Sequence, residues 1–163
     1  MIVYHGSNLI VSEPKLIPQN RFLDFGYGFY TTLNKTQAIG FADKVTKRRR
    51  SGNRTVSIYE LNEHKAFSEC AVLHFDEPCD AWLDFVSENR SGNYKGEQYD
   101  FIYGPVANDD VYTTFTLYAA GVLTREQTIE TLKIKKLYNQ LVLATERALT
   151  YLHFVGTVDM EES

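Results

Sequence analysis

The sequence predicts an α+β fold, and three observations carry that expectation. Thr55 to Leu61 alternates apolar and polar residues as a half-buried strand should. Asn34-Lys35-Thr36-Gln37 and Thr124-Arg125-Glu126-Gln127 each have the side-chain order of a helix start, a capping residue followed three positions on by an amide. Strand-like and helix-like segments follow one another without the regular βαβ rhythm of a parallel sheet. A chain of 163 residues is most simply one domain, residues 1–163, and is long enough to bury a core without staples.

Taken in order, Ile2 to His5 reads as a short strand entering a loop that holds Pro14 and Pro18. Asp24 to Thr32 is an aromatic segment punctuated by Gly26 and Gly28 and ending in β-formers. The Asn34 cap then opens a helix towards Arg49, and Ser51-Gly52-Asn53 turns the chain into the strand at Thr55. Pro78 suits the first turn of a further helix, whose Trp82, Phe85 and Val86 share one face. Ser91-Gly92-Asn93 breaks that helix. Tyr99 to Tyr103 reads as a strand ended by Gly104-Pro105. Asp109 or Asp110 starts a helix stopping at Gly121, and Thr124 caps another to about Lys136. Leu141 to Ala144 is an apolar strand, Thr145 caps a brief helical turn, and Tyr151 to Val158 forms a last strand.

Composition narrows the functional classes. The net charge of −4 argues against a domain-wide nucleic-acid footprint. The exception is the run Lys47-Arg48-Arg49-Arg50 with Arg54 beyond it, which reads as a helix end whose cations complement the dipole. No apolar stretch approaches a membrane span, and the N-terminus lacks a basic and apolar leader. Two cysteines, Cys70 and Cys79, make no disulfide framework, so the cytoplasm is the expected compartment. His64, Cys70, His74 and Cys79 lie too irregularly for a structural zinc site, so no metal is expected. Cys79 suits the first turn of the helix after Pro78, without a signalled histidine partner.

Three separated segments carry the functional reading: Tyr4-His5-Gly6-Ser7, Gly26-Tyr27-Gly28-Phe29-Tyr30, and Tyr138-Asn139-Gln140 followed by Leu141-Val142-Leu143. A histidine, an aromatic after a Gly-x-Gly turn and a polar residue opening an apolar strand are the parts of a site that grips a nucleotide ribose. In order and spacing they resemble the His-Tyr-Glu signature of ADP-ribosyltransferases of the diphtheria-toxin and poly(ADP-ribose) polymerase type. Phe41, eleven residues after Tyr30, matches that superfamily's second stacking aromatic. The whole chain also resembles DUF3990, a bacterial family of unassigned function found beside small partner genes in toxin–antitoxin-like pairs.

The resemblance implies two opposed antiparallel sheets with flanking helices and an NAD cleft between them. It implies that His5, Gly6, Ser7, Tyr27, Tyr30 and Phe41 bind NAD, and that His5, Tyr30 and Gln140 carry catalysis. NAD would be a substrate, cleaved through an oxocarbenium-like state as in glycoside hydrolysis. In this scheme His5 fixes the ribose, and Tyr30 and Phe41 sandwich the cationic nicotinamide. Gly6 lets its backbone approach the carboxamide, which Ser7 also bonds. Partners would be a macromolecular acceptor, protein or nucleic acid, and a small antitoxin-like protein. The sequence departs from the pattern at Gln140, which stands where the superfamily has glutamate and carries no charge. Loss of one charge-stabilising group commonly costs about 10²–10³ in rate. Asp109, or Asp110 beside it, is a candidate substitute carboxylate, although the loop reads first as a strand-to-helix turn with an Asp N-cap. The alternatives are a catalytically weakened NAD- or ADP-ribose-binding module, a partner-binding module, and an NAD glycohydrolase.

Overall fold

The computed structural model describes residues 1–17, 23–106, 109–135 and 137–161, with residues 109–112 described by their backbone alone. Along the chain run β1 (Ile2–Ser7), β2 (Phe29–Thr32), α1 (Lys35–Arg49), β3 (Thr55–Leu61), α2 (Glu63–Glu69), β4 (Val72–His74), α3 (Asp80–Arg90), β5 (Phe101–Pro105), α4 (Asp109–Ala119), α5 (Arg125–Ile134), β6 (Asn139–Leu143), α6 (Glu146–Leu149) and β7 (Leu152–Thr157). The fold is α+β. Among the described residues, no helix is long and apolar enough to cross a membrane.

The helices start where the caps predict. Thr124 forms the full reciprocal box with Gln127, and Thr145 accepts from the Ala148 amide. Asn34 accepts from the Gln37 amide, but the return half of that box is not made. The Gln37 side-chain oxygen instead accepts from the Thr32 hydroxyl at 2.6 Å, which fastens the start of α1 to β2. α3 begins later than expected, at Asp80: Cys79 is its N-cap, and Pro78 precedes the helix instead of entering its first turn. Two elements carry weak sequence signals. α2 is seven residues capped by Asn62, and β4 is three residues lying parallel to β5 across the α3 crossover.

All seven strands belong to one mixed sheet in the order β4-β5-β6-β2-β1-β3-β7. This differs from the expected pair of separate antiparallel sheets in two ways: the ladder is continuous, and β4–β5 is parallel. The ladder is nevertheless narrow at one place. β1 pairs with β3 from Ile2↔Glu60 to Ser7↔Thr55, yet meets β2 at the single pair Tyr4↔Thr32. β5 also runs further than its Gly-Pro signal suggests, because Pro105 still pairs with Asn139 of β6. On its other side β4 stops opposite Tyr103, so no neighbour there asks for the N–H that proline lacks. The Pro105 carbonyl accepts from the indole of the buried Trp82 at 2.8 Å.

Alternation of side chains across the pleat divides the core. Ile102 and Val142, directly paired, pack with Trp82, Leu83, Phe85 and Val86 of α3. Phe101, Leu141 and Leu143 pack with Val3, Phe29, Tyr59 and Leu61. A third cluster joins Val56 to Ala38 and Ala42 of α1.

α1 lies directly on β1 at Gly6. A Cβ there would run into the Ala38 carbonyl oxygen and the Ala42 amide nitrogen, both fixed in helix backbone. Backbone cannot swing aside as a long side chain can, so Gly6→Ala should lift α1 from the sheet. The expected loss is about 1–3 kcal/mol of stability, read as a lower urea midpoint. An unchanged midpoint would show that α1 is held elsewhere.

Candidate functional site

The three motif segments fall on three neighbouring strands, β1, β2 and β6. Thr32 is paired with Tyr4 on one side and Gln140 on the other, which fixes their register. His5 therefore sits at the point where β1 and β2 part. Its Nδ1 lies 2.7 Å from the Tyr30 carbonyl oxygen. A carbonyl only accepts, so Nδ1 carries the proton and the neutral ring keeps a lone pair on Nε2. The imidazole thus bridges the two strands one step beyond their last ladder pair.

Burial holds this ring neutral. It lowers the His5 pKa from its ordinary 6.5, the Tyr30 carbonyl opposes that shift, and the charge of Arg49 adds to it. Among the described residues nothing bonds Nε2, and it is not one of the sealed, unpaired polar atoms. Among the described residues the lone pair is uncommitted. Gln140, half-buried on β6 opposite Thr32 and Gly104, has no side-chain hydrogen bond to a described residue either.

The aromatic parts are arranged less simply than the motif suggests. The His5 ring stacks on Phe29, centroids 4.3 Å apart and planes tilted by 30°. By the pleat of β2, Phe29 points to the face opposite Tyr30, Thr32 and Gln140. His5 meets Tyr30 through its backbone, and the two rings do not stack on each other. The Tyr30 hydroxyl is already engaged, donating to the Gly26 carbonyl at 2.5 Å and accepting from the Phe25 amide at 3.1 Å. Burial first, then the Asp24 carboxylate, raises its pKa, so the phenol stays protonated.

Gly26 allows this closed loop by adopting a φ of 76°, where a side chain would also strike the Asn89 side-chain oxygen. The turn is anchored by residues that sequence reasoning missed. Asp24 accepts from Arg90 Nε at 2.6 Å with both side chains largely buried, and the Arg90 guanidinium lies 4.7 Å over the Phe115 ring. Asp24 stands two residues before Gly26, but its partner is 66 residues away. No local pattern announces that.

Of the remaining expected residues, Ser7 is buried and its hydroxyl donates to Asn8 Oδ1 at 3.3 Å. Gly6 is explained by the α1 contact above, and its smallness is used against the helix. Tyr27 and Phe41 are exposed, Phe41 on the flank of α1 that also carries Gln37. Asp109 and Asp110 open α4 as expected, while their side chains lie outside the described residues. His64, Cys70, His74 and Cys79 fall in α2, at its C-cap, in β4 and at the α3 N-cap.

A pH dependence follows from His5. Its folded pKa is depressed, so the unfolded chain binds the proton more readily. The stability tied to neutral His5 is complete above pH 6.5 and is lost as pH falls below that value. His5→Asn keeps a nitrogen donor at the Nδ1 position without an ionisable ring. Urea midpoints of the wild type should therefore fall more between pH 7 and pH 5 than those of His5→Asn. Parallel pH profiles would contradict a buried neutral imidazole.

Comparison with curated proteins and with solved structures finds no match. Residues 1–154 match the family described as Protein of unknown function (DUF3990). That match takes in all three motif segments, strands β1 to β6 and the start of β7, and this chain belongs to the DUF3990 family.

Proposed function

We propose that this chain is an NAD-dependent ADP-ribosyltransferase of the diphtheria-toxin and poly(ADP-ribose) polymerase type, with its NAD cleft where β1 parts from β2. The observation that carries the reading is the His5 Nδ1–H bond to the Tyr30 carbonyl, which leaves Nε2 as an oriented acceptor. An acceptor is what a ribose hydroxyl needs, and a ring held by backbone loses little freedom on binding.

In this reading His5 Nε2 accepts from the ribose. The Gln140 carboxamide, free of described partners, meets the 2′-hydroxyl. The Tyr30 ring, its hydroxyl turned away onto Gly26, offers a face to nicotinamide, and Phe41 covers the other side. Each face contributes about 0.5–2 kcal/mol towards a cation. NAD supplies an ADP-ribosyl group on a leaving pyridinium. The protein's part is to hold the sugar and favour positive charge on it. A carboxylate does the second better than an amide, so turnover should be slow, by about 10²–10³ relative to a glutamate. Asp109 is the nearest sequence candidate to make up that charge. A macromolecular acceptor, action as a bacterial toxin in the cytoplasm and a small antitoxin-like partner complete the reading.

A second reading has its own support. Gln140 is uncharged, and the His5 and Tyr30 rings point to opposite faces of β1 and β2. The first suits a module that binds NAD or ADP-ribose without chemistry; the second counts against a nucleotide gripped by both rings and suits a partner-binding module. Transfer to water would instead make the chain an NAD glycohydrolase.

Calorimetry with NAD and a nicotinamide-release assay separate these readings. The transferase reading predicts NAD binding, slow nicotinamide release, loss of release in His5→Asn with thermal stability kept, and release faster by about 10²–10³ in Gln140→Glu. NAD binding without release in the wild type supports the module. No NAD binding to folded protein sinks the nucleotide reading altogether.

A further inference from the structure

Charge is segregated along this chain more sharply than its net value suggests. Residues 35–54 hold seven of the 17 Lys and Arg but one of the 21 Asp and Glu, so the rest of the protein is strongly acidic. That lone acid, Asp43, is engaged by Arg54 at 3.4 Å. Lys47, Arg48 and Arg50 are exposed, and no described residue pairs with any of the three. Helix-dipole complementarity accounts for a cation or two in the last turn. It does not account for like charges crowded at Lys44–Lys47, Lys44–Arg48 and Lys47–Arg50, spacings at which they repel. Nor does it account for Arg50, which keeps arginine at φ 53°, a left-handed position where glycine is usual.

The cluster is also placed with respect to the seam. Gln37, Phe41, Lys44 and Arg48 share one flank of α1, and the Gln37 bond to Thr32 marks that flank as the one beside β2. Between them Arg49 reaches back to Asn8 Oδ1 at 3.0 Å, three residues after His5. The cations therefore lie within about 20 Å along α1 and its C-cap of the residue that touches β2.

We propose that the C-terminal end of α1, through Lys47, Arg48 and Arg50, is a docking surface for the phosphate backbone of a nucleic acid. An acidic protein is the less apt occupant. Three exposed cations within one helical turn match a regular polyanion, whose charges recur every few ångströms along each strand. The inference stands on charge and placement and does not depend on whether NAD binds. Of the three cations, Arg48 shares the flank that borders β2, while Lys47 and Arg50 project from the solvent side of the last turn.

The test is fluorescence anisotropy with labelled oligonucleotides of about 20 nucleotides, as single-stranded DNA, single-stranded RNA and duplex DNA, titrated across salt concentrations. Wild-type protein should bind at least one of them, with log K falling against log salt at a slope of about −2 to −3. The triple variant K47A/R48A/R50A, checked for folding by its thermal melt, should bind at least about tenfold more weakly at low salt. Its slope should be flatter by about 0.7–0.9 for each cation lost. Comparison among the three oligonucleotides identifies which nucleic acid is preferred. The proposal is overturned if none of the three binds, if the triple variant keeps the wild-type slope, or if polyglutamate or anionic vesicles compete as well as nucleic acid.

Discussion

The structure depends on a seam. Seven strands form one ladder, but its two parts meet through one backbone pair, Tyr4↔Thr32, and through the imidazole of His5 on the Tyr30 carbonyl. A ladder that opens after a single pair leaves backbone groups unsatisfied, and buried polar groups without partners cost about 1–3 kcal/mol each. His5 satisfies one of them. Structural and chemical roles coincide in one side chain: the bond that closes the gap also fixes the tautomer, and the tautomer decides what Nε2 can do.

Everything around the seam keeps it in that state. α1 lies against β1 because Gly6 has no side chain, and its start is tied to β2 through Gln37 and Thr32. Its end is tied to the loop after β1 through Arg49 and Asn8. The Arg49 charge discourages a second proton on His5, in the same direction as burial. On the other side Asp24 and Arg90 hold the turn onto which the Tyr30 hydroxyl folds. One helix thus carries both the packing that defines the seam and the cations beside it.

Much of the fold was legible where local physics dominates. Thr55 to Leu61 alternates because one strand face is buried, and the strand is found at those residues. Thr124 and Gln127 satisfy each other's backbone neighbours, so the helix start could be read directly. Elements set by tertiary context were not legible. β4 exists because β5 offers an edge, and Gln37 leaves its cap because Thr32 stands nearby. The site was half legible: sequence order brought His5, Tyr30 and Gln140 to adjacent strands, while the pleat that turns two of the rings apart required the register. The role of Gly6 against α1 had no sequence signal beyond its being glycine.

What the seam can bind turns on which His5 nitrogen carries the proton, and that is directly observable. Nitrogen-15 NMR of the histidine side chains should show His5 protonated at Nδ1 and bare at Nε2 at neutral pH, with the Nε2 resonance moving when NAD is added. A His5 protonated at Nε2, or a resonance indifferent to saturating NAD, would contradict this reading of the seam.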